Sequence, residues 1–122
     1  MLSILLVDDD TSIRLLFPRL LTSRGFVISG TAENGAEAVN LYRSLPVKPD
    51  VVIMDHRMPI KNGIDATKEI LQINKEAKII FASADNSVED LALSNGAISF
   101  LVKPFKFEDL VTSINKATLA VT

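Results

Sequence analysis

Short apolar stretches rich in β-branched side chains recur at 3–7, 27–31, 51–54, 78–82 and 98–102, and each has the length of a β-strand. Three of the five are almost unbroken in apolarity, the pattern of strands covered on both faces of a parallel sheet. Between and after them the spacing predicts helices over about 11–24, 35–44, 64–74, 87–95 and 106–119. Asn34 with Glu37, and Asn86 with Glu89, have the spacing of a capping box. Gly25 and Gly96 follow the expected ends of the first and fourth helices, where a left-handed residue is favoured. The last helix carries Leu110, Val111, Ile114 and Ala117 on one face. Pro18 breaks the local rule, since inside a helix it deletes a hydrogen bond and costs about 3 kcal/mol. A kinked or shortened first helix is therefore expected, with Ile13, Leu16, Leu20 and Leu21 keeping an apolar face on both sides of the proline.

Five alternating βα units imply an α/β, doubly wound, open parallel sheet, with chemistry gathered beyond the carboxyl ends of the strands where the strand order reverses. That rule selects Asp8, Asp9 and Asp10 after the first strand, Asp55 after the third, Ser83 after the fourth and Lys103 after the fifth.

The 122 residues suit one domain, 1–122, and 48% hydrophobic with 23% charged residues is ordinary globular usage. Thirteen Lys and Arg against fifteen Asp and Glu leave a net charge of −2, which argues against direct nucleic-acid binding. The chain has no cysteine, which excludes thiolate metal sites, and its single histidine, His56, argues against a His-rich metal site or a His-based triad. The apolar start, 1–7, has no positive flank and ends in three aspartates, which fits neither a signal peptide nor a membrane anchor. A soluble, cytoplasmic protein without membrane contact is expected, with carboxylates carrying the chemistry.

Carboxylates converging on one sheet edge repel one another, so without metal at least one should hold its proton more tightly. A divalent cation relieves the repulsion, and Mg2+ suits hard oxygen ligands while keeping waters for a phosphate to displace. A carboxylate beside such a metal can attack phosphorus to give an aspartyl phosphate, with a lysine and a hydroxyl holding the transferred group. Asp55, Lys103 and Ser83 meet that description.

These residues resemble the receiver domain of two-component response regulators over essentially the whole chain. The matching segments are Ile4–Asp10, Val51–Pro59 with Asn62-Gly63, Ala82-Ser83-Ala84 and Phe100–Phe105. The resemblance implies a flavodoxin-like (βα)5 fold with strand order 2-1-3-4-5. It implies that Asp55 accepts the phosphoryl group, that Asp9 ligates Mg2+ directly, and that Asp8 does so mainly through water. Asp55 and the Arg57 backbone carbonyl would complete the protein's share of the metal site, with Mn2+ a possible substitute. Asp10 falls outside it. Ser83 would be the switch hydroxyl, Phe100 the switch aromatic and Lys103 the ion pair to the phosphoryl oxygens, aimed through a cis Lys103-Pro104 bond. Arg57 and Asp85, each two residues beyond a site residue, are expected to approach across the mouth and tune the lifetime of the phosphorylated state.

The expected function is a phosphorylation-switched regulatory module, with slow autodephosphorylation, rather than an enzyme. Its donor would be a histidine kinase or a histidine phosphotransfer protein, and its output a downstream target protein or a fused output domain. Val88, Glu89, Leu91, Ala92 and Asn95, with Phe100 and the fifth helix, are the expected docking surface. Two alternatives compete: a small haloacid-dehalogenase-like phosphatase using Asp8, and a pseudo-receiver that docks without phosphate. His56, Met58-Pro59 and Asn62-Gly63 read as structural, with Gly63 supplying positive φ where the loop wraps the site.

Overall fold

The computed structural model describes residues 1–119; the last three positions of the predicted domain lie outside the described residues. Five strands alternate with helices: β1 (Ser3–Val7), α1 (Thr11–Ser23), β2 (Val27–Ala32), α2 (Gly35–Ser44), β3 (Val51–Met54), α3 (Gly63–Ile73), β4 (Ile79–Ser83), α4 (Glu89–Ser94), β5 (Ser99–Val102) and α5 (Phe107–Ala117). All pairings are parallel, in the order β2-β1-β3-β4-β5. The three central strands are the unbroken apolar runs, and β3 and β4 are buried at every position. On one face, Leu5, Val7, Val52, Met54, Ile79 and Phe81 pack against α2, α3 and α4. On the other, Ile4, Leu6, Val51, Ile53 and Ile80 pack against α1 and α5 through Leu21, Leu110 and Ile114. The alternation of side chains along each strand thus divides the apolar residues between two cores.

The first helix is not shortened at Pro18: it runs unbroken from Thr11 to Ser23. Its inward face is Ile13, Phe17 and Leu21, whereas Leu16, expected on that face, is 52% exposed. Phe17 meets the edges of Phe105 and Phe107, each at 6.2 Å between ring centroids. This tertiary burial on both sides of the proline outweighs its local cost and sets the helix phase.

Helix four also departs from expectation. Asn86 does not cap it; Asp85 accepts from the Ser87 backbone N–H at 3.1 Å, a 3-10 turn spans Asn86–Val88, and α4 itself is six residues. Asp85 precedes the turn by one residue and its carboxylate competes better for the free N–H groups than the Asn86 amide. Asn34 does cap α2, accepting from the Glu37 N–H at 2.8 Å, but Glu37 reaches back to the N–H of Glu33 rather than that of Asn34. Gly25 and Gly96 have φ of 89° and 107° and end α1 and α4 as the pattern predicts.

Candidate functional site

The strand order reverses between β1 and β3, and the residues following these two strands are Asp8 and Asp55. Their backbones are tied into the sheet edge: Asp8 N–H donates to Ala32 O, and Asp55 N–H donates to Val7 O, each at 3.0 Å. Both carboxylates are buried, at 3% and 7% exposure, while Asp9 is exposed. Ligand oxygens of Asp8, Asp9 and Asp55 all lie within 4.8 Å of one another. An all-carboxylate set at this spacing fits a hard divalent cation such as Mg2+.

Lys103, carried in from the end of β5, supplies the countercharge. Its Nζ lies 2.5 Å from Asp8 Oδ2 and 3.6 Å from Asp55 Oδ2, so in this state the ammonium belongs mainly to Asp8. The Lys103 N–H donates to Ser83 O at 2.9 Å, and the Lys103-Pro104 bond is cis. Burial pushes the Asp55 carboxyl above the ordinary carboxylate range; Lys103 and the His56 N–H oppose the shift, while Asp8 and Asp9 reinforce it. Asp55 Oδ1 accepts that N–H at 2.8 Å, and Oδ2 faces Lys103.

Ser83 is buried, and its Oγ accepts from the Asp85 N–H at 3.1 Å, leaving its own hydrogen free to donate. Phe100 lies flat on Phe81 at 5.9 Å between centroids, half-buried at the core's margin. At the mouth, Arg57 Nε lies 2.9 Å from Asp85 Oδ2. The Ser87 hydroxyl and the Arg57 guanidinium hold the Asp85 carboxyl below its ordinary range. Asp10 stands apart from the carboxylate cluster and caps α1, accepting from the N–H groups of Ser12 and Ile13 at 2.8 and 3.4 Å. His56 Nδ1 is buried without a hydrogen-bond partner among the described residues.

Two features around the site were not legible in the pattern. Gly63 does not serve as the positive-φ residue; that conformation falls on the exposed Ile60, at φ 70°. Gly63 is instead required by close approach, because a Cβ there would stand 2.1 Å from Asp55 O. The second is Arg14, one turn into α1, whose Nη1 donates to Asp8 O at 2.8 Å. Its position six residues after Asp8, on the turn that faces back to β1, was the only available signal.

Residues 4–115 match the family model of the response regulator receiver domain. The chain belongs to this family. The receiver domain is 43% identical over 117 residues to the chemotaxis protein CheY of Thermotoga maritima, covering 94% of this chain and 96% of that protein. It is likewise 43% identical to CheY of Bacillus subtilis over 115 residues, covering 93% and 94%. Among solved structures, a chain of the CheX-CheY-BeF3-Mg2+ complex from Borrelia burgdorferi superposes with a TM-score of 0.91 at 30% identity, covering 98% of this chain and 90% of that one. The response regulator TrrA of T. maritima, in complex with Mg2+ and BeF, gives 0.86 at 37% identity, covering 96% and 99%. The flavodoxin-like fold and order 2-1-3-4-5 expected from the sequence are those observed. No helix among the described residues is long and apolar enough to cross a membrane.

Proposed function

We propose that this receiver domain takes a phosphoryl group onto Asp55 from a phosphohistidine, on a histidine kinase or a histidine phosphotransfer protein, in the cytoplasm. The observation that carries the reading is the Lys103 ammonium held between Asp8 and Asp55 at the edge of a three-carboxylate cluster. Asp8, Asp9, Asp55 and the Arg57 backbone carbonyl would hold Mg2+, or Mn2+ in its place. The bound ion would neutralise charge on the phosphoryl oxygens.

An Asp55 carboxylate oxygen attacks phosphorus, the P–N bond to the donor imidazole breaks, and the imidazole leaves with the electron pair. Lys103, already 3.6 Å from Asp55 Oδ2, exchanges its Asp8 contact for the new phosphoryl oxygens, and Ser83 donates to another. Water later returns the acyl phosphate to carboxylate and inorganic phosphate, slowly, so the domain acts as a regulator rather than an enzyme. The Arg57–Asp85 pair narrows the approach of that water.

The phosphoryl group favours the active state only through contacts it makes better there. Ser83 moves toward it, Phe100 follows into the vacated space, and the surface of α4, β5 and α5 is remodelled for a target protein or a fused output domain. Leu91, Leu93, Ile98 and Val102 are exposed apolar groups on this face; Ala92, expected among the docking residues, is fully buried under α4 and is removed from that set. The domain makes no direct contact with nucleic acid or membrane in this reading.

The phosphatase alternative is disfavoured because residues 4–115 match the receiver family and Asp8 Oδ2 is already taken up by Lys103 at 2.5 Å, whereas Asp55 Oδ2 is 3.6 Å from it. A phosphate-independent docking role would leave the Asp9, Asp55 and Lys103 set without use. Incubation with acetyl phosphate and Mg2+, followed by intact mass measurement, tests the assignment. Wild type gains one phosphoryl group and Asp55→Asn gains none; equal labelling of the two, or none of either, refutes it.

A further inference from the structure

Asp8 has every polar group engaged. Its N–H donates to Ala32 O at 3.0 Å, its Oδ1 accepts from Asp10 N–H at 2.9 Å, its Oδ2 accepts from Lys103 Nζ at 2.5 Å, and its carbonyl accepts from Arg14 Nη1 at 2.8 Å. Three of these contacts come from the sheet, the adjoining turn or the site lysine. The fourth comes from a helix side chain that touches no carboxylate of the cluster.

Arg14 is itself held in place. Its side chain is only 18% exposed, and its Nη2 reaches Glu33 Oε2 at 3.5 Å and Thr11 Oγ1 at 3.4 Å. Glu33 lies in the turn after β2, so the planar guanidinium spans the ends of two neighbouring strands, β1 at the Asp8 carbonyl and β2 at Glu33. Such a fork, fixed at several points, orients a carbonyl far better than a flexible ammonium.

We propose that Arg14 is a positioning residue for the metal site: by anchoring the Asp8 carbonyl it fixes the β1–α1 turn so that the Asp8 and Asp9 carboxylates face the cation. This rests on the reading of Asp8, Asp9 and Asp55 as the metal ligands. Groups that orient ligands from behind govern metal affinity by about 10–100-fold in other sites. Charge alone predicts the opposite sign here, since removing a cation near an acidic cluster should strengthen Mg2+ binding.

Calorimetric titration of Mg2+ into wild type, Arg14→Met and Arg14→Lys separates the two effects, with urea melts in chelator to confirm that each variant is folded. Positioning predicts that Arg14→Met binds Mg2+ about tenfold or more weakly than wild type. Arg14→Lys, which retains the charge but not the fork, should also weaken, by a smaller factor. Unchanged or tighter binding in Arg14→Met overturns the proposal, as does full retention of affinity in Arg14→Lys. If wild type itself binds no Mg2+, the metal reading fails first and takes this inference with it; the wild-type titration tells the two failures apart.

Discussion

Gly63→Ala is the smallest change that should disturb Asp55 without touching a charged group. Gly63 opens α3 immediately after its cap, Asn62, and its N–H donates to His56 O at 3.0 Å. A Cβ would meet Asp55 O at 2.1 Å, with Asp55 C and His56 Cα both at 3.0 Å. All three are backbone atoms, so no side chain can swing aside. Reaching ordinary contact requires the two segments to part by about 1.3 Å. Overpacking of this kind costs about 1–3 kcal/mol, loss of the Gly63–His56 hydrogen bond about 1 kcal/mol more, and better helix propensity returns up to about 1 kcal/mol. A net loss of about 2 kcal/mol follows, lowering the urea midpoint by about 1 M. The same parting moves Asp55, the proposed phosphoacceptor, and a misplacement of about 1 Å can lower a rate by about 100-fold. The assay is a urea melt paired with the rate of acetyl phosphate labelling. Gly25→Ala serves as the control: φ is 89° there but nothing lies within 4 Å, so it should lose stability while labelling normally. If Gly63→Ala matches wild type in both measurements, the close-approach argument is wrong.

Two further outcomes follow from the charges. In magnesium-free buffer the folded state holds the Asp55 proton above the ordinary value of 3.8, so this group's contribution to stability is full below about 3.8 and is lost as pH rises through the raised value. Asp55→Asn abolishes that loss and should show a higher urea midpoint than wild type at neutral pH; an equal or lower midpoint refutes the sign. Arg57→Ala and Asp85→Ala, which leave the Arg57 carbonyl in place, should each shorten the phosphoryl lifetime by about two- to fivefold, read from the decay of the labelled mass; unchanged decay in both removes the gating role.

Much of the fold was legible because its signals are local and repeated: unbroken apolar strands, helical spacing, and glycines at helix ends. The strand-end rule then gathered Asp8, Asp9, Asp55, Ser83 and Lys103 at one edge, where the structure places them. What escaped depends on contacts between distant segments. The phase of α1 is set by Phe17 packing on Phe105 and Phe107, so Leu16 could not be assigned to solvent from its own neighbours. Ala92 is the residue of α4 that joins the core, in the same cluster as Phe81 and Ala97, which its own neighbours in the chain do not announce. The need for glycine at 63 comes from a backbone eight residues earlier, and composition carries no trace of that distance.

The ammonium that completes the acidic pocket is separated from Asp8 by 95 residues and arrives with the final strand of the sheet. Without β5 the carboxylates of Asp8, Asp9 and Asp55 would lack the one ammonium that the described residues bring to them. If Asp55 takes the phosphoryl group as proposed, competence to receive it would coincide with completion of the sheet.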